Sequence, residues 1–432
     1  MAGDRELTLG DCVSLVRGIT YQSSRLGEPG PVLLGLASIG AEGGFRGDNL
    51  KSYGGSSPEN LLLRPGDLYV SLKDVTQAGR LLGSVAKVPS HVAVGRLTQD
   101  TVKLQLKPES PPAEYLYWLL RTPEYREYCK ERAIGTTNLA LSRLDFLAFS
   151  VPPLTEIRVH LCELLSAIEN KIDLNRHTAM TLEAVVRALF KSWFVDFDPV
   201  HAKAEGRPTN LPEAVAALFP NDFGEKGIPV GWNMKPISDI FDVSGGNTPK
   251  TDNPEFWDGQ HQWATPKDLS GLPFPILLQT GRQLTDSGLK QTSSALLPPG
   301  SLLLSTRAPI GYMAFTSKPT AINQGFAGFV RKNISPAYAW SWCQAHLDVI
   351  MSSAGGSTFP EISKAVLRQI PMLLPSPPVL DAFSEIADSV VQRIAALARE
   401  SQTLISTRNI VLPKLICNDM PSFGSETQAA VA

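Results

Sequence analysis

Two stretches of the chain contain neither glycine nor proline, and they limit the possible folds more than any other feature. The first covers residues 154–198 and the second residues 379–412, and prolines flank both. Proline is typical of the first turn of a helix and of the positions just past its end. A helix of about 40 residues is roughly 60 Å long, several times the ~13 Å radius of gyration of a 100-residue domain. We therefore expect two helices that extend beyond a single globule.

Both stretches repeat apolar residues at coiled-coil spacing. Two positions of the second stripe are polar, Ser401 and Arg408, and polar seam residues cost stability while fixing register. The pattern predicts that the two helices pair antiparallel; the alternative is two separate helices in unrelated domains. The apolar positions are Ile157, Leu161, Leu164, Ile168, Ile172, Leu182, Val186 and Leu189 in the first stripe, and Val390, Ile394, Leu397, Leu404, Val411 and Leu415 in the second.

The remaining sequence divides into two globular segments. Residues 1–152 and 231–376 contain short apolar runs separated by Gly, Pro, Asn and Asp, which is typical of mixed α/β (α+β) domains with short strands. The long helices fall within 153–198 and 377–417. Residues 199–230 are predicted to be a linker, and the polar tail 418–432 is predicted to be disordered.

The two halves of the chain repeat each other. Arg64-Pro-Gly-Asp-Leu-Tyr-Val-Ser71 matches Pro298-Pro-Gly-Ser-Leu-Leu-Leu-Ser305, and Leu141-Ser142 matches Ile362-Ser363. Gly/Thr elements precede both of the latter pairs, and Pro-Pro pairs follow them in the same order. This order predicts an internal duplication with pseudo-twofold symmetry.

Composition excludes several classes of protein. The five cysteines are scattered and form no CxxC pair, and the histidines lack metal-ligand spacing, so no metal site is expected. Phosphate-binding GxxxxGK[ST] and dinucleotide-binding GxGxxG motifs are missing. The sequence Asn253-Pro-Glu-Phe256 resembles the Asn-Pro-Pro-aromatic loop of amino-methyltransferases, but its glutamate breaks that pattern. We therefore expect no catalytic residue and no bound cofactor, and the lack of an apolar leader or membrane span predicts a cytoplasmic protein.

Charge is distributed unevenly along the chain. The net charge of −2 divides into +1 for 1–150 (17 basic, 16 acidic), −3 for 151–230 (8 and 11), +1 for 231–360 (9 and 8) and −1 for 361–432 (6 and 7). The globular segments are slightly basic and the helices acidic. Their polar loops offer amide, hydroxyl and guanidinium groups, which bind phosphates and base edges but also form ordinary turns.

Several motifs together resemble the DNA-specificity subunit of Type I restriction-modification systems over nearly the whole chain. The most specific is Leu189-Phe-Lys-Ser-Trp-Phe-Val-Asp-Phe-Asp-Pro199, at the end of the first long helix. The other motifs are Arg17-Gly-Ile-Thr-Tyr21, Gly43-Gly-Phe-Arg46, Ser244-Gly-Gly-Asn-Thr-Pro249, Trp263-Ala-Thr-Pro-Lys-Asp-Leu-Ser270, Ser305-Thr-Arg-Ala-Pro-Ile-Gly311, Asn323-Gln-Gly325 and Gly356-Ser-Thr-Phe-Pro-Glu-Ile-Ser363.

The resemblance implies a non-catalytic subunit that recognises DNA for restriction, methylation and anti-phage defence. Each globular segment would be a target-recognition domain that reads one half of a bipartite, asymmetric site on double-stranded DNA. The helices would set the spacing and dock two modification (methyltransferase) subunits, which use S-adenosylmethionine. Separate restriction (translocase/nuclease) subunits would use ATP and Mg. Two alternatives from other classes are a complete methyltransferase or nuclease in one chain, and a coiled-coil scaffold without a DNA role.

Candidate site residues follow from these loops and from the resemblance. Three aromatic residues at the end of the first long helix, Trp193, Phe194 and Phe197, are candidates for docking the modification subunit; the alternative is packing of the linker onto the helix end. The candidate DNA-binding residues are Arg46, Lys73, Arg80 and Asn138 in the first half, and Lys250, Thr265, Lys267 and Arg307 in the second.

Overall fold

The computed structural model describes residues 7–48, 50–75, 78–136, 138–225, 227–293, 295–356 and 360–416. It divides into two compact units: the first contains the described residues up to 170 and from 404 onward, and the second contains 171–403. The tail 418–432, predicted to be disordered, lies outside the described residues, as do Thr358 and loop residues Gln77 and Thr137. No described helix is both long and apolar enough to cross a membrane.

The first unit combines short strands and helices with part of a long helix. Its helices are α1 (Leu9–Cys12), α2 (Ala113–Leu119), α3 (Pro123–Glu131), α4 (Arg143–Leu147) and the first part of α5 (Glu156–Phe194). Its strands are β1 (Val13–Arg17), β2 (Val32–Leu34), β3 (Leu62–Leu63), β4 (Leu68–Ser71), β5 (Lys73–Asp74), β6 (Val85–Lys87), β7 (Gly95–Leu97), β8 (Thr101–Leu106) and β9 (Leu139–Ala140).

The second unit has more strands and most of the second long helix. Its helices are the rest of α5, α6 (Asp198–Ala204), α7 (Glu213–Ala216), α8 (Ile237–Ile240), α9 (Pro266–Leu269), α10 (Asp286–Leu289), α11 (Pro336–Ala345), α12 (Leu347–Ser352), α13 (Lys364–Gln369) and α14 (Pro377–Val411), whose last residues belong to the first unit. Its strands are β10 (Asn233–Pro236), β11 (Asp242–Gly245), β12 (Trp257–Ala264), β13 (Ile276–Leu277), β14 (Arg282–Leu284), β15 (Leu302–Ser305), β16 (Met313–Thr316), β17 (Thr320–Ile322), β18 (Phe326–Val330) and β19 (Pro371–Leu374). Short 3-10 turns cover Ser23–Arg25, Leu36–Ser38, Glu59–Leu61, Pro254–Phe256 and Leu412–Leu415.

The main sheets of the two units have the same strand order. The order is β1-β8-β4-β6 in the first unit and β11-β18-β15-β16 in the second, where β13 adds one strand. The matched octapeptides contain the central strands β4 and β15, and all four residues of each strand are buried. Because side chains alternate between faces, Leu302 and Leu304 enter one core cluster and Leu303 another.

In both units a serine side chain caps the start of a short helix that precedes the long helix in the sequence. Ser142 accepts a hydrogen bond from the Asp145 amide (3.0 Å) at the start of α4, and Ser363 does so from Val366 (3.2 Å) at the start of α13. These serines belong to the second pair of matched landmarks. The mixed α/β fold with an internal repeat and two long helices, predicted from the sequence, is therefore confirmed.

In the first unit, the N-terminal part of α5 packs on the end of the described chain. Leu161 and Leu165 share a core cluster with Leu412 and Leu415. Arg158 is 5% exposed, and its Nε donates to the Leu415 carbonyl (2.7 Å) while Nη2 donates to the Ile416 carbonyl (3.2 Å). These carbonyls end a helical segment and would otherwise lack intrahelical partners, so Arg158 satisfies them.

In the second unit, the remaining part of α5 runs antiparallel to α14. Asn175 lies beside Ser401, whereas Phe190 lies beside Phe383, with ring centroids 5.8 Å apart. Asn175 is 1% exposed and Ser401 is 2% exposed. The Asn175 amide donates to Ser401 Oγ (3.2 Å) and to Glu400 Oε2 (2.9 Å). The predicted polar seam residue Ser401 is therefore buried and paired.

The seam of α5 differs by one position from the predicted stripe near its start. Ile157 and Leu164 are 54% and 47% exposed, whereas Arg158 and Leu165 are buried. The buried set continues through Leu161, Ile168, Ile172, Asn175, Ala179, Val186, Phe190 and Trp193. Successive members are three or four residues apart, except for Ala179 and Val186, which are one heptad apart. This is the spacing of a heptad seam, and it includes the polar positions Arg158 and Asn175, which a search for apolar residues alone passes over.

Replacing Asn175 by alanine should lower the free energy of unfolding by about 1–3 kcal/mol, because Ser401 would lose a partner in a buried seam. Urea denaturation measures the change. Asn170→Ala is the matched control, since Asn170 is exposed on the same helix and should change stability little. Equal stabilities of the two variants would contradict a stabilising Asn175–Ser401 contact.

Candidate nucleic-acid interface

Four loops of the second unit lie at one edge of its sheets, and we call them the loop edge of the second unit: 246–250, 265–268, 306–311 and 323–325. Strand register places them there. Gly245 at the end of β11 pairs with Ala327, Ser305 at the end of β15 pairs with Phe326, and Ala264 at the end of β12 pairs with Ile322. Each loop therefore leaves its strand at the same end.

Hydrogen bonds hold these loops against one another. The backbone N–H of Asn323 donates to the Ala264 carbonyl (3.0 Å), and the backbone N–H of Thr306 donates to the Gly325 carbonyl (2.8 Å). The Thr248 hydroxyl donates to Gln324 Oε1 (2.7 Å). All three contacts involve the loop 323–325, which is thereby joined to the loops 246–250 and 306–311 and to Ala264, the residue before 265–268. The polar groups of this edge are therefore presented on a braced surface.

A glycine permits the closest approach within this edge. A Cβ built on Gly246 would lie 1.7 Å from the carbonyl oxygen of Ile322, closer than two non-bonded atoms can come. Gly18 of the first unit has the same role, with a Cβ placed 1.9 Å from the Thr98 carbonyl oxygen. The motif Ser244-Gly-Gly-Asn-Thr-Pro249 is thus explained in part by backbone packing rather than by ligand contact.

The candidate residues of the second half all lie on the loop edge but differ in their availability. The Thr265 hydroxyl and backbone amide both donate to Asp268 (2.7 Å each), which makes Thr265 the cap of α9. Lys250 and Lys267 are exposed. Arg307 Nε lies 2.9 Å from Glu361 Oε1, with about half of each side chain exposed. An exposed ion pair of this kind contributes about 0–1 kcal/mol, so an anionic ligand can displace Glu361 at low cost.

The sequence-based selection missed Lys364 at this edge. Its ammonium donates to the Gln324 carbonyl (2.8 Å), and burial, together with the nearby Arg307 and Arg368, lowers the pKa of Lys364 despite the opposing charge of Glu361. The internal repeat offers a signal that would have found it. Arg143 follows Ser142 as Lys364 follows Ser363, so both copies place a basic residue there.

The first unit places its candidate residues around the corresponding strand ends. Lys73 follows β4, pairs in backbone register with Ala140, and has its ammonium 3.5 Å from Asp100 Oδ1. Arg307 of the second unit pairs with Glu361 in the same way, so Lys73 and Arg307 are equivalent positions. Arg46, Arg80 and Asn138 are exposed on neighbouring loops, and Arg46 lies 3.4 Å from Asp48.

The aromatic residues at the end of α5 lie in the core instead of on a docking surface. Trp193 is 2% exposed and Phe194 is 4% exposed. Both rings contact Phe383, and Trp193 also packs edge-on against Phe219 (5.0 Å). Phe197 is half-buried against Phe223 and Trp232. This packing agrees with the alternative left open by the sequence, in which the linker packs onto the helix end, and the burial of Trp193 and Phe194 leaves little of their side chains for contact with another protein.

The polar groups at the loop edge of the second unit and at the corresponding strand ends of the first are suited to binding. They include guanidinium, ammonium, hydroxyl and amide groups, which donate to phosphate oxygens and base edges. Among the described residues, no three His, Cys, Asp or Glu side chains are grouped so as to hold a metal ion. The described cysteines Cys12, Cys129, Cys162 and Cys343 are buried, and burial raises the pKa of Cys129 to about 11, so this thiol stays protonated.

Comparison with known proteins finds similarity to one kind of protein. Residues 229–402 match the family model of the Type I restriction modification DNA specificity domain. The chain is 36% identical over 153 residues to the specificity subunit of the Type I restriction enzyme MjaIX of Methanocaldococcus jannaschii, an alignment that covers 35% of each protein. It is 26% identical over 358 residues to the HindI specificity subunit of Haemophilus influenzae, covering 70% of this chain and 76% of the relative.

A solved structure has the same fold. The S subunit of a Type I restriction-modification system from M. genitalium aligns with a TM-score of 0.57 over 96% of both chains, at 13% sequence identity. At this identity the similarity concerns the fold alone.

Gly246→Ala should lower the free energy of unfolding by about 1–3 kcal/mol, because the added methyl group forces β11 and β17 apart. Thermal unfolding detects the loss. Gly355→Ala is the control, because a Cβ there would meet no described atom within 4 Å. If Gly246→Ala unfolds at the temperature of the unmodified protein, the close backbone approach at this edge is contradicted.

Proposed function

We propose that this chain is a specificity subunit of a Type I restriction-modification system, the kind of protein that its sequence matches, and that it recognises the DNA sequence on which such a complex acts. The observation that carries the proposal is the loop edge of the second unit. Its loops lie within the matched domain and present Lys250, Lys267 and Arg307 from one end of two sheets. Such a surface suits the negatively charged backbone and the hydrogen-bonding groups of duplex DNA.

Each unit reads one half of a bipartite site. The scaffolds repeat, but the loops do not, since Lys73 stands where Arg307 stands and Ala140 stands where Glu361 stands. Different side chains on the same scaffold select different bases. The two half-sites are therefore different, and the complete site is asymmetric.

The long helices set the spacing of the half-sites and dock two modification subunits. Helix α5 has 39 residues, which corresponds to about 58 Å at 1.5 Å per residue. In the second unit it exposes large apolar side chains, with Leu174, Met180 and Val185 each more than half exposed. Exposed apolar groups on a helix favour protein contact. This surface replaces Trp193 and Phe194 as the proposed docking site.

The chemistry belongs to the partner subunits. The modification subunits use S-adenosylmethionine, and the restriction subunits use ATP and Mg. This chain contributes recognition and assembly. A methyltransferase or nuclease complete in this one chain is the competing function. Incubation of the purified chain with labelled S-adenosylmethionine and DNA separates the two, since the proposal expects no transfer of label without the modification subunit.

Arg307→Ala should weaken DNA binding by the assembled complex about five- to tenfold while leaving assembly intact, because one phosphate- or base-contacting cation is lost. Gel-shift titration at physiological salt measures the affinity, and size-exclusion chromatography measures assembly.

The isolated chain should bind DNA weakly and without sequence preference, and it should gain tight binding when the modification subunit is added.

The control for this experiment is Lys332→Ala. Lys332 pairs with Asp242 (3.1 Å) at the far end of β11, opposite the loop edge. Like Arg307→Ala, the Lys332→Ala substitution removes one positive charge beside the same sheet, but it should leave DNA affinity unchanged. Equal affinities for Arg307→Ala and Lys332→Ala would contradict the role assigned to Arg307.

A further inference from the structure

An arginine outside the candidate set lies over the ring of a buried tryptophan. The guanidinium carbon of Arg282 lies 3.3 Å from the centre of the Trp257 ring. Trp257 is 5% exposed and packs edge-on against Trp263 (5.0 Å), whereas Arg282 is exposed. The aromatic face restricts the arginine, and stacking on one face leaves the N–H groups at the guanidinium edge able to donate.

Arg282 stands at the loop edge of the second unit. It is the first residue of β14 and pairs with Trp263 near the end of β12. The amide of Gly281 donates to Asp268 Oδ1 (2.7 Å), one residue from Lys267. Trp257 Nε1 donates to the carbonyl of Lys250 (3.0 Å). The segments that carry Lys250, Lys267 and Arg282 are thus tied together around the two tryptophans, and we call these three residues the tryptophan-braced patch.

The tryptophan-braced patch is not neutralised by nearby carboxylates. Within the described part of the chain, none of its three cations has an Asp or Glu oxygen within 4.0 Å. Arg307 on the same edge differs, because Glu361 pairs with it. Three cations on segments joined by these hydrogen bonds, and without a carboxylate partner, favour an anionic ligand.

We propose that Arg282 binds a phosphate of the DNA backbone, with its guanidinium oriented by Trp257 and with Lys250 and Lys267 on the segments tied to its own. The inference rests on the proposed function and adds a contact to it. Phosphate is favoured over a base because the arginine is restricted by its aromatic partner and because two further cations lie on segments tied to its own, an arrangement suited to a contact that positions the duplex. Arg282 is therefore a positioning contact rather than one that selects sequence.

The test measures DNA binding by the complex of this chain with its modification subunit. Arg282→Gln should lower affinity about five- to tenfold, equally for duplexes with and without the recognition site, and should reduce the slope of log affinity against log salt by about one. Arg282→Lys keeps the charge without the planar stack and should fall between Arg282→Gln and the unmodified protein. Lys332→Gln, at the far end of the sheet, should change neither quantity.

Four outcomes decide the matter. Equal losses on both duplexes with a smaller salt slope support the inference. Unchanged binding by Arg282→Gln, in an experiment where the unmodified complex binds DNA, overturns the inference and leaves the proposed function standing. A loss confined to the duplex with the site overturns the phosphate assignment. Failure of the unmodified complex to bind any duplex overturns the proposed function, and the inference with it.

Discussion

Antiparallel packing of α5 with α14 and the residues that follow it is the interaction on which the rest of the molecule depends. In the first unit, Arg158 binds the Leu415 carbonyl across 257 residues of sequence. In the second unit, Asn175 and Ser401 are 226 residues apart. The first unit is therefore built from two separate segments of the chain, whereas the second is the continuous segment 171–403, whose ends pack against each other. The core of the second unit includes residues of both long helices, and the core of the first includes residues of α5 and of the 3-10 turn that follows α14. A change in the register of α5 would therefore disturb the packing within each unit.

The polar groups in this seam define register more sharply than apolar groups would. A leucine seam tolerates slippage, since one leucine replaces another, whereas a buried amide leaves an unpaired group if it shifts by a turn. One polar contact fixes the alignment in each unit. In the first unit Arg158 binds the Leu415 and Ile416 carbonyls, and in the second Asn175 binds Ser401. A fixed alignment is what a subunit needs if its helices are to set the distance between two DNA half-sites.

Elements with strong local signals could be predicted from the sequence, and those that depend on tertiary partners could not. The absence of Gly and Pro from two stretches predicted both long helices, and the matched octapeptides predicted the central strands β4 and β15. The stripe near the start of α5 was wrong at Ile157 and Leu164 because the seam passes through Arg158, whose charge hides it from an apolar pattern. Trp193 and Phe194 lie in the most specific motif of the sequence, but they are buried in the core. Arg282 could not be selected from the sequence because only the structure places it over the ring of Trp257.

The central claim is that this chain supplies sequence recognition through two separate readers, and methylome sequencing of the host tests it most directly. With the chain and its modification subunit present, we expect one bipartite, asymmetric adenine-methylated motif, which should disappear when this chain is deleted. Exchange of the loop edge of the second unit for that of another family member should change one half of the motif and leave the other half intact. An unchanged methylome after deletion, or a change in both halves after the exchange, would contradict the account.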